Sequence, residues 1–127
     1  MVYVWVAIGG AAGSVARYAC SVAALRWLGP GFPWGTLFVN LTGSFAIGVL
    51  ASLAAADGRP LLGPEARALL LVGVLGGFTT FSSFSLETLN LAREGAFGAA
   101  ALNVAASVGL CLAGVWLGFA VAGSINR

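Results

Sequence analysis

Histidine and lysine are both absent from this 127-residue chain, and only 8% of its residues are charged. Without histidine, no serine or cysteine has an evident base beside it, which argues against nucleophilic catalysis. No phosphate-binding loop and no metal-ligand spacing is present. The net charge of +2 is too weak to argue for nucleic-acid binding. The two cysteines, Cys20 and Cys111, lie far apart in apolar runs. Each reads as a small buried apolar side chain rather than as half of a disulfide or metal site. A soluble domain of this size needs far more charge to cover its surface.

What the chain has instead is hydrophobicity. Apolar residues make up 60% of it, and its mean hydropathy is +1.00. These values predict an all-α integral membrane protein. The few charges divide the chain into apolar runs long enough to span a bilayer, which takes roughly 20 residues. Four helices are expected at about Tyr3–Leu28, Trp34–Ala56, Pro64–Ala92 and Ala96–Ala122, forming one domain over residues 1–127. The first stretch lacks the basic flank of a cleaved signal peptide and is expected to stay in the protein. Gly29-Pro30-Gly31-Phe32-Pro33 and Asp57-Gly58-Arg59-Pro60 are turns that no helix would cross. Pro64 can open the third helix, with Glu65 favoured in its first turn. Arg93-Glu94-Gly95 closes it. Tyr3, Trp5, Trp27 and Trp34 fall near helix ends, where aromatic rings anchor at the interface.

Four spans put both termini on one side of the membrane. Arg59, Arg67 and Arg127 fall on that side, and Arg26 and Arg93 on the other. A three-to-two split hardly fixes an orientation. It permits insertion both ways and antiparallel pairing, or it simply reflects a small protein with few charges. Gly9/Gly13 and Gly114/Gly118 have the four-residue spacing that lets helices approach closely. Four short helices hardly enclose a pore alone, which points to an oligomer.

The residues able to carry chemistry cluster at membrane depth. Residues 76–84 read GGFTTFSSF, a poor composition for a quiet lipid-facing helix. Such a stretch suggests a broken third helix lining a polar path. A break at Gly76-Gly77 would free carbonyls able to coordinate sodium; close helix packing accounts for the glycines equally well. Phe81 and Phe84 share a helix face. Surrounded by Thr79, Thr80, Ser82, Ser83 and Ser85, their positive ring edges can replace water around a small anion without binding it too tightly. Core packing is the plain alternative. Asn40, mid-span in the second helix, must face protein, water or a permeating species. Interhelical glue is its simplest role. Glu87, one turn past the phenylalanines, is placed to face an aqueous vestibule. Arg17 can bond exposed carbonyls, snorkel to an interface or hold two subunits together. Asn103 and Ser107 form a second polar face, one turn apart in the fourth helix.

Three blocks resemble the Fluc (CrcB) fluoride-channel family: GGAAGSVARY from Gly9, GTLFVNLTGSFAIG from Gly35 and GGFTTFSSFSLET from Gly76. The resemblance spans the chain in order. It implies a multi-pass protein of a prokaryotic plasma or inner membrane, assembled as a dual-topology antiparallel homodimer with two pores. It further implies passive, selective fluoride export. Hydrogen fluoride enters a cell as the neutral acid and dissociates inside, and the channel lets the trapped anion leave. Asn40, Phe81, Phe84, Ser82, Ser83, Ser107 and Glu87 match the family's fluoride pore and its polar track. Gly76 and Thr79 match positions that offer backbone carbonyls to a central structural sodium ion. Arg17 falls in the first-helix block and is assigned a structural role. Position 103 is Asn where an aromatic is expected in several relatives, and position 83 is Ser where threonine is common. Both departures keep hydrogen-bonding capacity.

Two other classes remain. A dual-topology multidrug or cation exporter also has four short helices, but it needs a membrane-embedded carboxylate, and only Glu87, near a helix end, is available. A structural or assembly protein would use the glycines for packing alone.

Overall fold

Glycine and proline punctuate the apolar runs, and helix ends fall at several of them. The computed structural model describes residues 1–55 and 61–125. Helix α1 (Val2–Leu28) stops at Gly29, whose φ of 79° suits glycine and whose N–H donates to the Leu25 carbonyl at 3.0 Å. Helix α2 (Trp34–Ala54) follows the proline-bounded turn. The third span, Pro64–Arg93, is not one regular helix. It opens as α3 (Pro64–Arg67), widens into a π-helical stretch (Ala68–Val74) and tightens again as α4 (Leu75–Phe78). It breaks at Thr79 and Thr80, then resumes as α5 (Phe81–Arg93). Gly95, at φ 80°, ends it. Ala96 N–H reaches the Leu91 carbonyl at 2.9 Å, and Gly95 N–H reaches that of Ala92 at 3.1 Å. These paired bonds satisfy carbonyls that the helix end leaves free. Helix α6 (Phe97–Ile125) completes the set.

All four spans are long and apolar enough to cross a membrane, and no strand occurs among the described residues. The protein is therefore an all-helical, multi-pass membrane protein. The sequence-based bounds agree within a few residues, except that α6 runs three residues further than expected. The expected turn over residues 57–60, and Arg59 and Arg127, lie outside the described residues. Tyr3, Trp27 and Trp34 are exposed near helix ends, as interfacial anchors require.

Small residues decide which helices meet. A Cβ on Gly9 or Gly13 of α1 would overlap the Leu69 or Val74 carbonyl oxygen of the third span. Reciprocally, a Cβ on Gly73 would lie 2.9 Å from Gly9 Cα, and one on Gly77 would lie 3.1 Å from the Ser14 nitrogen. The two backbones are thus in direct contact, the arrangement that dispersion favours where lipid supplies no hydrophobic drive. The α2–α6 pair uses the same device. Added Cβ atoms at Gly48 and Gly118 would overlap the carbonyl oxygens of Val115 and Phe45. The spacing of Gly9/Gly13 and Gly114/Gly118 is therefore packing, as expected.

The third span changes partners at its break. Its first half, 64–78, packs on α1, while α5 packs mainly on α6. This switch opens a groove on the face where the break lies.

Candidate functional site

The break is made by a partner from another helix. In an unbroken helix, the Thr80 N–H would close on the carbonyl of Gly76. Here it donates to Asn40 Oδ1 at 2.7 Å, and Asn40 Nδ2 donates back to the Thr80 carbonyl at 3.0 Å. The carboxamide thus pairs with both main-chain polar groups of Thr80, which belong to the two peptide units flanking its Cα. Thr79 and Thr80 are extended (φ −83°, ψ 156° and φ −154°, ψ 118°). Gly76 and Gly77 remain helical, so the interruption falls beyond the glycines. Gly77 serves close packing against α1, while Gly76 is exposed and a Cβ there would meet nothing within 4 Å.

Thr80 then caps α5. Its hydroxyl accepts the Ser83 N–H at 3.1 Å, satisfying one of the donors that a helix start leaves free. The same hydroxyl lies 3.2 Å from both Ser82 Oγ and Ser83 Oγ. Ser82 is exposed and Ser83 half-buried. Thr79 turns its hydroxyl back to the Leu75 carbonyl at 2.9 Å, and its methyl fills the space left by Gly43 of α2. Asn40 and Gly43 share one face of α2, so one helix face both ties and seats the break.

A groove of about 460 Å³ opens beside it, with Asn40, Gly76, Thr79, Phe81, Phe84 and Ser107 in its lining. No lining residue carries a charge. The Phe81 and Phe84 rings are 5.3 Å apart at 50°. Phe84 is buried at 8% exposure, whereas Phe81 is 77% exposed. Phe81 therefore projects from its own chain, and Phe84 belongs to the core as well as to the groove wall.

Glu87 and Ser83 lie outside this lining. Glu87 borders a second cavity of about 340 Å³ between the 29–33 turn, Thr36, Asn90 and Glu94. Thr36 donates to Glu87 Oε1 at 2.8 Å. Ser83, Glu87 and Asn90 recur at helical spacing on α5, and Glu94 follows at its C-cap, so a polar stripe runs from the break to the helix end. Arg17, half-buried on α1, lines neither cavity.

Sequence reasoning missed three partnerships: Asn40 with Thr80, Thr36 with Glu87, and Asn103 with Thr88. Asn103 is only 1% exposed, among the most buried side chains described. Its Nδ2 donates to Thr88 Oγ1 at 2.9 Å, and its Oδ1 accepts from Ser107 at 3.4 Å. A buried amide must be paired in this way. Thr88 in turn donates to the Phe84 carbonyl at 2.7 Å. Asn103 thus lies behind the groove, where it braces Ser107.

Such a lining can hold a small anion through an amide N–H, hydroxyls and ring edges. Asn40 still has one Nδ2 hydrogen beyond the one given to Thr80. Residues 4–119 match the family described as CrcB-like protein, Camphor Resistance (CrcB). The chain belongs to the CrcB family. Relatives cover it almost end to end. One from Opitutus terrae is 54% identical over 98% of this chain and 94% of its own length. One from Rhodospirillum centenum is 56% identical over 91% of this chain and 90% of its own. A third, from Rhodospirillum rubrum, is 52% identical over 100% and 98%. All three carry the name fluoride-specific ion channel FluC. That is the name of a channel rather than an enzyme, in keeping with the absence of catalytic constellations noted above.

Proposed function

We propose that this protein is a fluoride channel that lets cytoplasmic fluoride leave down its own gradient, as an antiparallel homodimer with two pores. The observation that carries the reading is the uncharged groove beside the break, where Asn40, Ser107 and the Phe81–Phe84 pair converge. An anion passing there meets partial positive charge only, from an amide hydrogen and ring edges, and from the Ser107 hydroxyl when it turns away from Asn103. Conduction requires binding strong enough to enter and weak enough to leave, and a full cation in the groove would violate the second condition. Phe81 is 77% exposed and the groove is open along the face of a single chain. A second copy would close it, and opposite insertion of that copy fits the near-balanced, three-to-two arginine split. The stripe of Ser83 and Glu87 would continue the path to the vestibule.

A structural sodium ion fits the break. Backbone carbonyls released at a helix break are suitable ligands for a hard monovalent cation. The Gly76 carbonyl has lost its helical donor, Thr80 N–H, to Asn40. Gly76 is exposed and lines the groove. Gly76 and Thr79 would hold the ion, which would fix two chains at their shared centre. Arg17, at neither cavity, would serve structure rather than conduction. The cation-exporter alternative would require Glu87 to load and release its cargo, yet that carboxylate lies apart from the groove and is already held by Thr36.

The deciding experiment is efflux from liposomes containing the purified protein, with fluoride and chloride run in parallel. Fast fluoride release with negligible chloride release is expected. No fluoride release from a folded dimer would overturn the channel reading.

A further inference from the structure

The two-point contact between Asn40 and Thr80 has a consequence that reaches beyond the groove. A helix breaks only if the N–H groups and carbonyls it releases find other partners, because neither can be left bare in a membrane. The Thr80 N–H is released at the break, and Asn40 takes it. The carbonyl that would have received it belongs to Gly76, and among the described residues no backbone N–H beyond the helix is bonded to it in its place. One side chain therefore decides whether that carbonyl is spent on the helix or left free. The second bond, from Asn40 Nδ2 to the Thr80 carbonyl, ties the next peptide unit as well, so the backbone is held on both sides of the Thr80 Cα. Gly43, one turn along α2, seats the Thr79 methyl and holds the same two residues extended. The segment has no positive φ to stabilise it, so the extended geometry depends on these contacts from α2.

We propose that Asn40 is a positioning residue for the cation site: by replacing Gly76 as the partner of Thr80 N–H, its carboxamide keeps the Gly76 carbonyl free for a monovalent cation. This rests on the sodium reading given above. It links the two halves of the site, because one side chain both faces the anion groove and sets the carbonyl ligand. A change at Asn40 should then alter the cation dependence of assembly as well as anion flux. A residue that only touches the anion would alter flux alone.

The test uses the full-length dimer and two readouts besides flux. One is deuterium exchange of the Thr80 amide, resolved by NMR. The other is the sodium concentration at which half the dimers survive dilution in detergent, with N-methylglucamine as the replacing cation. In Asn40→Ala, Thr80 exchange should accelerate at least tenfold and the half-point should rise at least tenfold. Asn40→Asp keeps an acceptor for Thr80 N–H and loses the donor, so both readouts should move less while fluoride flux still falls. Flux lost in both variants with Thr80 exchange and sodium half-point at wild-type values would overturn the positioning role. If neither variant assembles, the unmutated protein decides. Thr80 exchange as slow as a helical amide supports the clasp, and exchange as fast as that of exposed Ser82 refutes it. A wild-type dimer indifferent to sodium would overturn the cation reading itself, and that result is obtained before any variant is made.

Discussion

Gly43 offers a sharp perturbation because its one missing atom is matched to one present on Thr79. A Cβ at position 43 would overlap Thr79 Cγ2, while Phe78 Cδ1, at 3.5 Å, stays at ordinary contact distance. The methyl cannot simply swing away. Thr79 Oγ1 is held by the Leu75 carbonyl at 2.9 Å, and giving up such a bond costs about 0.5–1.5 kcal/mol net. Moving α2 outward instead would stretch the Asn40–Thr80 pair three residues away. Overpacking of this kind costs about 1–3 kcal/mol, so Gly43→Ala should destabilise the protein by that amount. Thr79→Ser removes the methyl and keeps the hydroxyl. In that background, Gly43→Ala should cost close to nothing, a coupling of about 1–3 kcal/mol between the two sites. Unfolding titrations in mixed micelles on all four proteins measure the cycle, and liposome efflux reports whether the groove survives. Equal costs of Gly43→Ala in both backgrounds would show that the methyl–glycine fit does not hold the break.

Phe81→Ile should cut fluoride efflux by an order of magnitude or more while leaving dimers intact, because it removes a ring edge from an exposed position; unaltered efflux would remove Phe81 from the path. Thr36→Val strips the Glu87 carboxylate of its hydroxyl partner and should destabilise by about 1–3 kcal/mol, read from the same unfolding titration; a loss too small to measure would mean that water replaces the hydroxyl freely. Gly118→Leu should separate α2 from α6 and prevent folding, whereas Gly98→Leu, at a position with open space around it, should leave the unfolding midpoint near wild type. Equal tolerance at both positions would contradict the backbone contact between those helices.

The four spans were legible because their signals are local. Uncharged runs, prolines and glycines mark where helices can and cannot continue, and the structure follows them to within a few residues. The polar composition of residues 76–84 also gave away that the third span is interrupted. It could not locate the interruption. Glycine permits a break, but Thr79 and Thr80 undergo one, because the amide that replaces the lost helical bond arrives from forty residues away on α2. The Thr36–Glu87 and Asn103–Thr88 bonds were hidden for the same reason: each depends on which helix faces which. The π-helical stretch left no mark either. It reads as an ordinary apolar run, and its widened turn is visible only against the glycines of α1. Asn40 illustrates both limits. Its depth marked it as a residue needing a partner, but the partners turned out to be main-chain groups, which sequence cannot single out.

The change of partners along the third span also bears on how the chain is made. Helix α1 finds its main neighbour only when residues 64–78 have emerged, and α2 finds its own only with α6, the last span to be synthesised. The pairings interleave like crossed brackets, so no early helix hairpin holds the finished contacts. Until Thr80 leaves the ribosome, the Asn40 amide has no native partner in the bilayer. Until Gly118 follows, Gly48 faces lipid. A ribosome that stalls before the fourth span therefore leaves α1 paired with the third span but α2 without its main neighbour, a form that membrane quality control can recognise. Completion of the last helix works as a checkpoint, and a nascent-chain series truncated on either side of residues 114–118 would reveal it as an abrupt gain in protease resistance.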